Sequence, residues 1–166
     1  MNKSNQERRR YYEDLVIDQV QESAPYRVTA EEIIEFGQKY DPQYFHADAE
    51  AAKQSRFREA IASGIQIMAI WRRLDHQIAR DIAWICGVAW DNVRFPQALR
   101  AGDTVRARAV CRSKRLSEKD PTRGVVMFEY QLLNQDDEMV WSCMSTNLID
   151  RRQPPPGAEK ATYERR

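Results

Sequence analysis

"SGIQIMAIWRRLDHQIARDI", residues 63–82, is the stretch on which the fold turns. Ile67, Ile70, Trp71, Leu74 and Ile78 recur at three- and four-residue spacing, and Ile65 and Met68 widen the apolar face. That period predicts a long helix, with Ser63 in the position of an N-cap. An apolar face this broad has to be largely wrapped by other structure. Downstream the period changes to two. "TVRARAVCR" (104–112) alternates Val105, Ala107, Ala109 and Cys111 against Thr104, Arg106, Arg108 and Arg112. "GVVMFEYQLLN" (124–134) puts Val126, Phe128, Tyr130 and Leu132 on one side, and "MVWSCMSTNLI" (139–149) alternates in the same way. "IAWICGVAWDNVRF" (82–95) is a further, longer strand, bent near Gly87. The turns "AGDT", "DPTRG" and "NQDDE" separate these segments, so consecutive strands are expected to be antiparallel neighbours.

Upstream, "DQVQESAPYRVT" (18–29) reads as one more strand and "TAEEIIEFGQKY" (29–40) as a helix. Thr29 caps that helix, Glu32 takes the capping-box position, and Ile33, Phe36 and Tyr40 share a face. Pro42 ends it. "DAEAAKQS" (48–55) is a short second helix with Asp48 as its cap. The expectation is an α+β chain in which an antiparallel sheet wraps one long helix.

Composition narrows the functional classes. The chain has 166 residues, 42% hydrophobic and 31% charged, which are globular values for one domain. With 26 basic and 25 acidic residues the net charge is +1, which gives no reason to expect a nucleic-acid or membrane-surface partner. No run of about 20 apolar residues spans a bilayer, and the N-terminus lacks the apolar run of a secretory signal. Cys86, Cys111 and Cys143 are read as free thiols in a reducing cytoplasm, with no metal site. Residues 1–10 and the proline-containing tail 153–166 are expected to be flexible, leaving 11–152 as the domain.

Between the two helices lies "DPQYFH" (41–46), a carboxylate and an imidazole brought near one another by a proline bend. An ionised Asp41 and a neutral His46 that share one water could activate it and manage its proton. Tyr44 and Phe45 would limit bulk water there. Gly64, at the first turn of the long helix, offers unpaired backbone N–H groups to a developing oxyanion and has no Cβ in the way. Each residue also has a plainer job. Asp41 could close the turn before Pro42, His46 could cap the following helix, and Ser63 is first of all an N-cap. His76 reads as solvated, Arg106, Arg108 and Arg112 as a solvated strand face, and the four tryptophans as core and interface.

Taken in order, several stretches carry a resemblance. They are "YYEDLVIDQV", "YRVTAEEIIEFGQKYDPQYFHADAEAAKQSRF", "AIASGIQ", "NVRFPQALRAGDTVRARAVC" and "NQDDEMVWSCMSTNLIDRR". Together they resemble the MaoC-like dehydratases, the (R)-specific enoyl-CoA hydratases of the hot-dog fold, over roughly 11–152. The resemblance implies a hydratase or dehydratase acting on an acyl-CoA, or on an acyl carrier protein thioester, without a cofactor. It implies Asp41, His46 and the Gly64 amide as catalytic groups, with Tyr44, Phe45 and Ser63 at the substrate; apart from the resemblance, Arg72, about two turns beyond Gly64, is expected to reach the far end of the substrate, where a second carboxylate could sit. It also implies a homodimer or a higher homo-oligomer. Where the family pattern has a glycine-rich segment, this chain has "FREA" (57–60), expected to reshape the acyl pocket or make it polar. Two alternatives stand beside this one. A hot-dog thioesterase would need an acid on the long helix, where Asp75 is available, and a non-catalytic acyl-CoA-binding protein would account for "FREA".

Overall fold

The computed structural model describes residues 9–160 and 162. Most of the expected N-terminal arm, residues 1–8, and residues 161 and 163–166 of the expected C-terminal arm lie outside them. Arg10 is within, and its guanidinium is held by the Asp81 carboxylate and the Ile78 carbonyl.

A 3-10 turn at Tyr12–Asp14 precedes two short strands, β1 (Val20–Glu22) and β2 (Tyr26–Arg27). Three helices follow: α1 (Ala30–Tyr40), α2 (Tyr44–Ala47) and α3 (Ala49–Ala52). The long helix α4 (Gly64–Ala79) leads into β3 (Trp84–Arg94), β4 (Thr104–Leu116), β5 (Arg123–Leu133) and β6 (Met139–Asp150). The sheet order is β1-β4-β5-β6-β3, antiparallel throughout, with β2 also on β4. This is the hot-dog architecture, an α+β fold in which the sheet curls round α4.

The strand expected over 18–29 is broken in two by Ser23, Ala24 and Pro25, and both pieces pair with β4. The expectation that consecutive strands are neighbours holds for β4, β5 and β6 but fails for β3 and β4. The segment between those two does not form a hairpin. Leu99 is fully buried in it, the Ala62 N–H donates to the Leu99 carbonyl, and Ile61 bridges Arg100. Anchoring this connection in the core takes the chain across the fold and leaves β3 at the far edge beside β6. Register shifts near Gly87 bend β3 where the glycine suggested it.

Helix α4 buries Ile67, Ile70, Trp71, Leu74 and Ala79 against the sheet. Trp71 packs on Tyr130 at 4.8 Å and on Trp141 at 4.6 Å between ring centroids. The buried face is narrower and more polar than the sequence suggests. Ile65 is 52% exposed, whereas Gln66 and Asp75 are buried. On β4, Arg106, Arg108 and Arg112 pair with acids on neighbouring elements, Glu22, Asp137, Glu129 and Asp18.

Candidate active site

Helix α1 starts as expected, with the Thr29 hydroxyl accepting from the Glu32 N–H. The reciprocal half of the capping box is not made. The Glu32 carboxylate instead accepts from the Tyr26 hydroxyl at 2.5 Å. Ile33 and Gly37 are the buried residues of α1, while the Phe36 and Tyr40 rings pack against each other at a tilt of 47° nearer solvent. Asp41 closes the helix, its N–H donating to the Gly37 carbonyl. Pro42 then turns the chain into α2, one turn of helix that carries Tyr44, Phe45 and His46.

Two features hold this turn in place. The Phe45 carbonyl accepts from the Ile61 N–H at 3.1 Å, and the buried His46 ring places Nδ1 2.7 Å from the Ile61 carbonyl. A carbonyl only accepts, so Nδ1 carries the proton and Nε2 presents a lone pair. That lone pair faces Asp41, with Nε2 and Oδ2 3.9 Å apart. The separation is too long for a direct hydrogen bond and short enough for one water to reach both. The other Asp41 oxygen accepts from Gln43 Nε2 at 3.1 Å, which orients the carboxylate.

Ile61 also links this pair to α4. Three residues after it comes Gly64, at the first position of the helix. The Ser63 hydroxyl accepts from the Gln66 N–H, so the cap satisfies the third helical amide. The Gly64 and Ile65 amides have no acceptor within the helix and carry its positive end. A Cβ on Gly64 would stand 3.2 Å from the Phe95 ring, so that ring lies over the glycine. A cavity of about 350 Å³ opens between α1 and α4. Tyr40, the residue before Asp41, and Gln66, two residues after Gly64, both line it.

The remaining expected residues are distributed unevenly. Phe45 packs edge-on against the His46 ring, with centroids 4.5 Å apart, whereas Tyr44 is half exposed and touches Phe45 alone among the described aromatic rings. Ser63 is fully buried as a cap. Arg72 does not join the group. It lies eight residues along α4, about 12 Å by helical rise, where it pairs with Asp75 and lines a separate cavity of about 370 Å³ with Trp71, Trp90 and Tyr130. Asp75 is wholly buried, and burial pushes its carboxyl up to about 6 despite the Arg72 guanidinium beside it. It lies about one turn further along α4 from Gly64 than Arg72 does. In "FREA", Arg58 and Glu59 are exposed, Glu59 pairs with Arg100, and neither lines the cavity between α1 and α4. The sequence reading missed Gly37, Ile61, Gln66 and Phe95. Of these only the "AIASGIQ" segment carried a signal, and it pointed at the glycine.

Comparison with known proteins gives concordant results. The family model described as "MaoC like domain" matches residues 14–128, a span that contains Asp41, His46 and Gly64. The MaoC-like dehydratase from Rhodospirillum rubrum superposes with a TM-score of 0.80 at 32% identity, covering 86% of this chain and 98% of that one. The R-hydratase PhaJ1 from Pseudomonas aeruginosa, 18% identical, shares the fold with a TM-score of 0.69 over 93% of this chain and 95% of its own. The uncharacterized protein YdeM of Bacillus subtilis (strain 168) is 41% identical over 58 residues, 35% of this chain and 41% of that protein. The match therefore spans less than half of that curated relative. Among the described residues no helix is long and apolar enough to cross a membrane.

Proposed function

The chain belongs to the MaoC-like domain family, and on that premise we propose that it adds water to a trans-2-enoyl thioester or removes it from the 3-hydroxyacyl form. One observation carries the reading: Asp41 Oδ2 and His46 Nε2 face each other across 3.9 Å, with the far nitrogen of the imidazole committed to the Ile61 carbonyl.

In the hydration direction a water held by both groups attacks the β-carbon. Asp41 takes the proton that leaves the water, His46 Nε2 orients that water by accepting its other hydrogen in a hydrogen bond, and the proton held on Asp41 is then delivered to the α-carbon. The hydroxyl and the proton added to the double bond thus both come from one water, and no redox cofactor is needed. The negative charge that develops on the thioester oxygen meets the Gly64 N–H at the positive end of α4. Phe45, packed on His46, keeps bulk solvent from the pair. The groove between α1 and α4 takes the acyl chain. The thioester carrier is coenzyme A or an acyl carrier protein.

The sheet ends at β3, whose Val88 and Trp90 are about half exposed. An open edge of this length invites pairing, and a second copy of the chain is the partner we assign to it. Sedimentation of the Val88→Lys variant at increasing dilution would show dissociation at concentrations where the native chain stays dimeric.

The function is tested with crotonyl-CoA and longer enoyl-CoAs, following enoyl absorbance and free thiol separately. Loss of the enoyl signal without thiol release is the expected result. Asp41→Asn and His46→Ala should each lower turnover by about 10²–10⁴-fold while circular dichroism stays unchanged. Full activity in both variants would end the proposal, and thiol release would replace it with hydrolysis.

A further inference from the structure

Ile61 and Ala62 lead directly into Ser63 and Gly64, and neighbours occupy both of their edges. On one edge the Ile61 N–H donates to the Phe45 carbonyl at 3.1 Å, and His46 Nδ1 donates to the Ile61 carbonyl at 2.7 Å. On the other, the Ala62 N–H donates to the Leu99 carbonyl at 2.9 Å, and Ile61 bridges Arg100 in antiparallel register. Successive residues of an extended chain turn their hydrogen-bonding groups to opposite edges. The His46 turn and the 95–100 segment therefore flank the approach to Gly64 from opposite sides.

Phe95 belongs to the second flank. Leu99, four residues on, is fully buried, and Pro96 restricts the Phe95 backbone to extended conformations, so the ring projects from a fixed frame. Three of its carbons stand 3.2, 3.2 and 3.7 Å from the point a Gly64 Cβ would occupy. That point is two bonds, about 2.5 Å, from the Gly64 nitrogen. The tip of the ring thus lies within about 6 Å of the amide proposed to hold the thioester oxygen. The ring is nevertheless 45% exposed, which leaves part of its surface free for a ligand.

We propose that Phe95 is a specificity-determining residue: its ring forms the wall opposite Asp41 and His46, and the slot between them admits a flat or unbranched α-carbon and shuts out a quaternary one. The inference rests on the hydration reading, which seats the thioester oxygen on the Gly64 N–H. In that reading the water and the proton both arrive from the Asp41–His46 side. The opposite face of the substrate takes part in no bond, so an apolar ring can cover it. A trans-2-enoyl thioester is planar from the carbonyl to the β-carbon and fits such a slot. A 2,2-dimethylacyl chain does not, because its two methyl groups project to both faces. One can take the place of the water, and the other meets the ring.

Equilibrium binding of butanoyl-CoA and 2,2-dimethylbutanoyl-CoA, neither of which can be hydrated, tests the wall. The native chain should bind the unbranched member at least about tenfold more tightly, the lower end of what a close-fitting pocket achieves over one surplus carbon. Phe95→Ala and Phe95→Ser should each bring the two ligands to within about threefold of one another, chiefly by tighter binding of the branched one. Phe95→Tyr keeps the wall and should keep the native ratio. Thermal unfolding checks that the variants fold, which the half-exposed position favours. Equal native affinities, or a ratio that the folded alanine and serine variants leave intact, would overturn the proposal. Crotonyl-CoA turnover is followed in parallel. No turnover with a Phe95-dependent preference strikes the hydratase reading and upholds the wall, whereas turnover without that preference strikes the wall alone.

Discussion

A β-carbon on Gly37 would lie 2.2 Å from the carbonyl oxygen of His46 and 2.5 Å from its carbonyl carbon. The bare face of α1 is therefore what lets the His46 turn lie down against the helix that ends in Asp41. In a solvent-facing helix, glycine to alanine would stabilise by about 1 kcal/mol. Here it should destabilise, by about 1–3 kcal/mol, because backbone has to move. Denaturant unfolding of Gly37→Ala will show the sign, and the same variant should lose turnover because the Asp41–His46 spacing opens.

Gly64 allows an uncommon test of a backbone donor. It occupies the first position of α4, where proline is well tolerated, and Ser63 before it is extended at φ −70 and ψ 156, which a following proline accepts. Gly64→Pro deletes the proposed oxyanion donor with little injury to the helix. The exposed Phe95 ring lies over the site and is the part that must give. Turnover should fall by about 10²–10³-fold, with the melting temperature nearly unchanged. A matching loss of both would mean that the glycine serves the fold alone.

Asp75 makes stability depend on pH. Its carboxyl rises from the ordinary 3.8 to about 6 in the folded chain because burial disfavours the charged form. The folded state thus holds a proton that the unfolded state has released, so this contribution is full below about pH 4 and is lost as pH rises through 6. The loss is on the order of 2–3 kcal/mol. In Asp75→Asn that decline between pH 4 and pH 6 should be absent from urea unfolding curves. A slope unchanged from the native chain would assign it to another group.

Arg58 stands at φ 65, one of the few non-glycine residues in the left-handed region. Its position is in the "FREA" segment, where the family resemblance led us to expect glycine. Arg58→Gly should leave stability unchanged or raise it by up to about 1 kcal/mol. Arg58→Val should lower it by about 1–2 kcal/mol, since a branched Cβ tolerates that conformation worst. Thermal melts of the two variants give the comparison, and equal melts would show that no backbone strain is held there.

Much of the fold was legible because its signals are local. The period of α4, the Ser63 and Thr29 caps, the alternation of β5 and the Pro42 break depend on neighbours within a few residues. The placement of β3 was not legible. Its own pattern is that of a strand, but its partner depends on Leu99 and Ala62 meeting across the core. The inward face of β6 was ambiguous for a related reason. Both faces read as mixed, and only packing shows that Trp141, Cys143, Ser145, Asn147 and Ile149 point in.

The candidate site divides along the same line. Residue identity and chain order alone brought out "DPQYFH" and Ser63-Gly64, because an acid, a base and a helix start are properties of short segments. Tertiary structure decided how they meet. It set the 3.9 Å gap, gave the imidazole its proton arrangement through Ile61, and moved Arg72 to another cavity. Hydrogen-bond geometry and burial arise between residues distant in sequence, so no local period encodes them.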